Sequence, residues 1–258
     1  MTDLSQDFAL LRQTATEAAA LALSYRNRPL ARERKPDGTT VTEADKAVDR
    51  LLWKRLKEPR PDYGWLSEES LENERRLQAR RVWIADPIDG TQAFVKGLDD
   101  WVIALCLVED GVPVLSTVVN PVRNEFYEAR AGMGAFLNGQ RISVSAQSEL
   151  DGARVAASPR PAGKGTWRPP WPGARHMGVN SSIYRLAFVA SGAADVSFAL
   201  NPKWEWDIAA GVLLVMEAGG IATGKTGAPF TFNSAEAKVP GLIAAPPALH
   251  RLLTGHLR

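Results

Sequence analysis

The stretch Trp83-Ile84-Ala85-Asp86-Pro87-Ile88-Asp89-Gly90-Thr91 carries the residues best suited to chemistry. Two carboxylates, Asp86 and Asp89, stand on either side of Pro87-Ile88. Val82, Trp83 and Ile84 are apolar and β-favouring, so the stretch opens as a strand. Pro87 has a fixed φ and no N–H to donate, which predicts that the regular strand ends near it. Gly90 permits a positive φ or a close backbone approach. Thr91 can cap a following turn or helix, whose free N–H groups favour an anion. Carboxylates beside an anion site suit a hard cation and a phosphate, because Mg²⁺ takes oxygen ligands and is often shared with substrate phosphate. The same residues also build ordinary turns, since Asp, Pro and Gly cluster there. Spacing alone leaves both readings open.

Other acids stand near recognisable element boundaries. Thr42 is a good N-cap for a helix whose apolar face is Ala44, Ala47, Val48, Leu51, Leu52 and Leu56. Asp45 then falls in the first turn as a capping-box partner, a role that cap and dipole chemistry explain by themselves. Glu68 and Glu69 follow the short apolar run Trp65-Leu66, and residues 71–81 read as a charged, solvated loop or surface helix. Asp207 opens an apolar helix over 207–218 that Gly219-Gly220 ends. It is either a plain N-cap or a distant carboxylate delivered to Asp86 and Asp89 by the fold.

The rest of the chain supplies the scaffold. Leu4, Phe8, Leu11, Ala15, Ala18 and Ala22 recur at helical spacing, predicting a core-covering helix over 4–25. Apolar runs at 101–108, 112–119 and 125–129, separated by Asp110-Gly111 and Asn120-Pro121, predict an antiparallel meander. Beyond it, strands near 154–158, 194–200 and 242–245 alternate with helices near 181–191, 207–218 and 247–257, a more α/β-like pattern. The expected division is 1–145, an α+β part with most of the candidate acids, and 146–258, an α/β part with Asp207. Residues 160–173 are rich in Pro and Gly and read as an irregular loop. Its Trp167 and Trp171 either line a cleft or staple the loop.

Composition narrows the classes. The chain has 258 residues, 45% of them hydrophobic, enough for one large domain or two closely packed lobes. A net charge of +2 gives no nucleic-acid or membrane footprint. The single Cys106 excludes an internal disulfide and a cysteine metal cluster, and reads as a small core residue. No basic, apolar leader is evident and no run of about 18 apolar residues exists, so a cytoplasmic soluble protein is the expectation. His176, His250 and His256 are scattered, which gives no histidine zinc site.

Taken together, Leu66-Ser67-Glu68-Glu69-Ser70, the Trp83–Thr91 stretch, Trp206-Asp207-Ile208-Ala209-Ala210 and Glu217-Ala218-Gly219-Gly220 resemble the inositol monophosphatase family. This is the Mg²⁺-dependent, lithium-sensitive phosphatase superfamily, and the resemblance runs over residues 42–220. It implies a layered αβαβα sandwich. It implies two or three Mg²⁺ per active site, held by Glu68, Asp86, the Ile88 carbonyl, Asp89 and Asp207. Asp45 and Thr91 match the pair that orients and deprotonates the attacking water, and Glu69, second of the paired glutamates, is counted with them as a catalytic residue. Gly90 and Thr91 amides would hold the phosphate, with Ser181, Ser182 and Lys203 on the substrate side. The implied partner is a small phosphomonoester, with no nucleic-acid polymer and no membrane, and a homodimer is common in the family.

The chain departs from inositol-specific members. They follow Gly-Thr with Thr-Asn-Phe or Arg-Asn-Phe, whereas Gln92-Ala93-Phe94 stands here. Their glutamate seven residues before the late aspartate is replaced by Leu200, which cannot accept a hydrogen bond from a hydroxyl. Asn180 replaces a glycine and precedes Ser181-Ser182. These features, with Trp101 after Asp99-Asp100, are similar to the bacterial 3'(2'),5'-bisphosphate nucleotidases. Hydrolysis of the 3'-phosphate of 3'-phosphoadenosine 5'-phosphate is therefore expected, with Lys203, Arg185 or Lys96 as candidates for the second phosphate. The alternative is an inositol-1-monophosphatase or another sugar or histidinol phosphatase. A non-catalytic binding subunit would have lost a metal ligand, and every expected ligand is present.

Overall fold

Helix α1 (Leu4–Tyr25) lies on one face of a seven-stranded sheet and buries Leu11, Ala15, Ala18 and Ala22 against it. A short antiparallel hairpin, β1 (Arg32–Arg34) and β2 (Thr40–Thr42), leads into α2 (Glu43–Leu52). Thr42 caps α2 as expected. Its hydroxyl accepts from the N–H groups of Ala44 and Asp45, while the Asp45 carboxylate accepts the Thr42 N–H at 2.8 Å. The computed structural model describes residues 4–26, 28–35, 38–70, 74–159 and 173–256.

The large sheet is built from β3 (Gly64–Ser67), β4 (Arg81–Asp89), β5 (Val102–Glu109), β6 (Val112–Asn120), β7 (Glu125–Arg130), β8 (Gly134–Leu137) and β9 (Gln140–Arg141), adjacent in that order. Only β3 and β4 run parallel; the rest is the expected meander. A short α3 (Thr91–Val95) follows β4. The charged segment before β4 is less exposed than its composition suggests. A 3₁₀ turn over Glu74–Gln78 buries Arg76, whose guanidinium donates to Asn233 Oδ1 at 2.6 Å and to the Ser234 carbonyl at 2.9 Å. The cation is buried because it fastens the first sheet to a distant loop.

The second sheet comes entirely from later residues: β10 (Arg154–Ala157), β11 (Arg175–Gly178), β12 (Val196–Ala199), β14 (Ile221–Thr223) and β16 (Leu242–Ala245), in the order β11-β10-β12-β16-β14. Its helices are α4 (Ser182–Ala190), α5 (Ala209–Glu217) and α6 (Pro247–His256), and β13 (Lys203–Trp204) pairs with β15 (Lys238–Val239). Helix α5 begins two residues later than the sequence pattern predicts, because Asp207 lies in the preceding turn. Helices α4 and α5 fill the space between the sheets, packed against Ile84, Val102, Ala104 and Cys106. Trp83, Ile103 and Leu105, on the opposite pleat, meet α1 and α2. Helix α6 covers the outer face of the second sheet through Leu249 and Leu253. The five layers read α, β, α, β, α.

One glycine sets the central layer. A Cβ on Gly211 of α5 would fall 2.6 Å from Leu186 Cβ of α4, so any larger residue drives the two helices apart. Burial pushes the Cys106 thiol pKa up, in keeping with an inert core residue. The 160–173 loop, with Trp167 and Trp171, lies outside the described residues except for Gly173. Among the described residues, no helix is long and apolar enough to cross a membrane.

Candidate active site

On a regular strand, residues three apart face opposite sides of the sheet. Asp86 and Asp89 do not. Asp86 pairs with Ala104 and Asp89 with Val102, so three steps along β4 match two along β5. The strand does not end at Pro87, as its missing N–H suggests, but carries one extra residue through a bulge. Parity is thereby restored, and both carboxylates point with Ala104 and Val102 towards α4 and α5. Ile88 faces the other way, into the α1–α2 core.

Carboxylate oxygens of Asp86, Asp89 and Asp207 all lie within 4.8 Å of one another. Asp207 arrives from the turn before α5. It caps nothing: Ile208 occupies the N-cap position, and the Asp207 N–H donates to the Trp204 carbonyl at 3.2 Å. Glu68 follows β3, and its N–H donates to the Ala85 carbonyl beside Asp86. Burial, then the charges of Glu68, Asp89, Asp207 and Asp45, hold the Asp86 pKa well above the carboxylate range. Burial pushes Glu68 up to about 8 and Asp207 up to about 6, against the opposing pull of Lys35 and Lys203 respectively. Asp86 Oδ1 accepts the Ile88 N–H at 3.1 Å, but its buried Oδ2 accepts no hydrogen bond. A buried, unpartnered carboxylate oxygen among like charges is costly unless a cation joins it. An all-oxygen acidic donor set fits a hard divalent metal.

Asp45 flanks this cluster. Thr42 donates to its Oδ2 twice, through N–H at 2.8 Å and Oγ1 at 2.6 Å, leaving Oδ1 to accept from Thr91 Oγ1 at 3.2 Å. Thr91 is the first residue of α3, not its cap. Gly90 takes the N-cap place with φ of 99°. A Cβ at Gly90 would also sit 3.0 Å from the Asp100 carbonyl, so both conformation and space require glycine. The Ile88 carbonyl lies 3.1 Å from Thr91 Oγ1.

Glu68 and Glu69 are joined by Lys35, whose ammonium donates to Glu68 Oε1 at 3.0 Å and Glu69 Oε1 at 2.7 Å. The segment carrying them is held by Asp49, which accepts from Ser67 Oγ at 2.5 Å and from Ser70 Oγ. Asp49 is one turn after Asp45 on the same face of α2. The sequence reading missed it, although the i, i+4 pair of acids on an otherwise apolar-faced helix was visible.

The three substrate-side candidates are placed differently from one another. Ser181 is fully buried and turns its hydroxyl onto Asp89 Oδ2 at 2.7 Å. Ser182 Oγ accepts from Lys203 Nζ at 2.8 Å, and that ammonium lies 3.7 Å from Asp207 Oδ2. Asn180 donates twice to Asp100 Oδ2, from N at 2.6 Å and Nδ2 at 2.8 Å. Arg185 is buried and donates to the carbonyls of Val179 and Asn180, away from solvent. A cleft of about 600 Å³ lies alongside, with Asp99, Asp100, Arg123, Met177 and Asn180 in its walls.

The profile of the inositol monophosphatase family matches residues 3–258. The chain belongs to that family. An inositol-1-monophosphatase of Rhizobium meliloti is 37% identical over 195 residues, covering 72% of this chain and 73% of the relative. A histidinol-phosphatase of Mycobacterium tuberculosis is 34% identical over 249 residues, covering 87% and 93%. The solved structure of an IMPase from Thermotoga maritima superposes with a TM-score of 0.83 at 27% identity, over 99% of this chain and 97% of that one. Family membership makes the protein a phosphatase with the mixed α and β architecture described above. None of the relatives named here is a bisphosphate nucleotidase, so these comparisons do not bear out the nucleotidase expectation.

Proposed function

We propose that the protein hydrolyses a small alcohol phosphomonoester with bound Mg²⁺, two or three ions per site. Inositol monophosphate and histidinol phosphate are the first candidate substrates. The observation that carries this reading is the convergence of buried Asp86 and Asp89 with half-buried Asp207, with Asp86 Oδ2 unpartnered. Glu68, Asp86, the Ile88 carbonyl, Asp89 and Asp207 would hold the metal. When bound, it supplies a lowered water pKa and neutralises charge on the phosphoryl oxygens.

The chain's own groups do the rest. Asp45, fixed by Thr42, accepts through Oδ1 a proton that Thr91 Oγ1 relays, which orients a nucleophilic water as general-base catalysis requires. The Gly90 and Thr91 amides, at the start of α3, would hold the phosphate. Glu69 is tied to Glu68 through Lys35 and would act from that pairing.

Lys203 supports a second reading. Its ammonium, beside Asp207 and Ser182, suits a substrate with a second anionic group, as in 3'-phosphoadenosine 5'-phosphate. One experiment orders the candidates: phosphate release from inositol 1-phosphate, histidinol phosphate and the bisphosphate nucleotide, with and without Mg²⁺. Release from none of them by metal-loaded, folded protein defeats the proposal.

A further inference from the structure

We propose that Ser181 is a positioning residue for Asp89: its hydroxyl fixes the aspartate's orientation and so sets the affinity of the carboxylate cluster for a divalent cation. The inference rests on the reading of Asp89 as a metal ligand.

Asp89 sits at the end of β4, just after a bulge, where backbone geometry alone constrains it less than a regular strand would. Its orientation comes from the start of α4. Ser181 Oγ donates to Asp89 Oδ2 at 2.7 Å and the Ile183 N–H donates to the same oxygen at 2.6 Å. Two donors on one oxygen leave the other for the shared centre with Asp86 and Asp207. The same Ser181 oxygen accepts the Tyr184 N–H at 2.9 Å and serves as N-cap of α4. One hydroxyl therefore does two things at once. It accepts from the helix it starts, and it donates its own hydrogen bond to the metal-side carboxylate. Its full burial leaves no water to take over either role.

The holder is itself braced. Tyr184 OH donates to Glu125 Oε2 at 2.6 Å, tying the first turn of α4 to β7. Arg185 donates to the carbonyls of Val179 and Asn180, immediately before the cap. The clamp on Asp89 thus belongs to a rigid part of the fold. Partners that hydrogen-bond a metal ligand typically change metal affinity about 10–100-fold when removed.

The test is Mn²⁺ binding by folded protein, followed by electron paramagnetic resonance and calorimetry without substrate. Ser181→Ala is expected to weaken binding about tenfold, while Ser181→Thr, which keeps a hydroxyl, binds within about twofold of the parent. Ser181→Cys keeps the volume but offers a weak donor, and is expected to lose nearly as much as Ser181→Ala. It carries the test if Ser181→Ala does not fold. Thermal unfolding of the metal-free variants reads the helix cap separately. Unchanged Mn²⁺ affinity in the Ala and Cys variants, whatever their melting temperature, overturns the proposal and leaves Ser181 as a cap only. Equal weakening in all three also overturns it. Absence of phosphatase activity in the parent would defeat the functional reading without touching this one.

Discussion

Thr91 Oγ1 donates to Asp45 Oδ1 at 3.2 Å, joining the first residue of α3 to the first turn of α2 across 46 positions. Thr42 fills the other oxygen of the same carboxylate. The pair therefore has one functional edge. Asp45→Asn and Thr91→Ala are each expected to lower kcat about 10²–10⁴-fold, the usual range for loss of general-base assistance. Mn²⁺ affinity should move little, since neither residue is placed as a ligand. Steady-state phosphate release beside metal titration separates the two effects.

Asp86 makes the opposite trade. Its buried charge is unpartnered at Oδ2 and crowded by four other acids. Asp86→Asn removes that repulsion, so the metal-free variant should melt several degrees higher than the parent. It should also lose the stabilisation that Mg²⁺ confers on the parent by binding only the folded state. Thermal denaturation with and without 10-fold excess EDTA over metal checks both halves.

The pH response of metal-free protein follows from the same crowding. Glu68 rises from an ordinary 4.5 to about 8 and Asp207 from 3.8 to about 6, burial being the first cause in each. Between those values the folded state still holds protons that the unfolded chain has released. Stability therefore falls as pH rises from about 4.5 to about 8. Mg²⁺ replaces those protons, so it should flatten the decline and release protons on binding. Unfolding midpoints at several pH values test this, and a metal-free melting temperature that climbs from pH 5 to pH 8 contradicts it.

Asp49 should act at a distance. Asp49→Ala removes the acceptor of both Ser67 and Ser70, freeing the segment that carries Glu68 and Glu69. Leaving buried donors unpaired costs about 1–3 kcal/mol. Metal affinity should weaken with Lys35 and the other acids intact, which calorimetry reports directly.

Local chemistry was the legible part of this chain. The Thr42–Asp45 capping box, the helical stripe through Leu11 and Ala18, and the meander after Trp101 follow from nearest-neighbour rules. The Asp86–Asp89 stretch announced itself by composition. Asp49, Arg76 and the tie from Ser181 to Asp89 did not, because each depends on a partner at least 18 positions away. Arg76 is the sharpest case: a run of charged residues signals exposure, and only the loop at Asn233 explains why one of them is buried. Sequence leaves Asp207 either a helix cap or a carboxylate delivered to Asp86 and Asp89; the structure gives the second, aimed by the turn before α5. The choice of substrate stayed obscure for a different reason. Leu200 argues against an inositol hydroxyl contact and Lys203 suits a second anionic group, but neither residue type names the substrate.

The bulge at Pro87 gives the length of the Asp86–Asp89 interval a meaning that its residue types do not. Removing a single position there would leave the acids two apart, a spacing that an unkinked strand already keeps on one face. The odd interval is therefore what obliges β4 to buckle, since three steps against two cannot be paired otherwise. A one-residue deletion should straighten the strand and keep both acids on the side of α4 and α5, at the cost of the local bend that carries the Ile88 carbonyl.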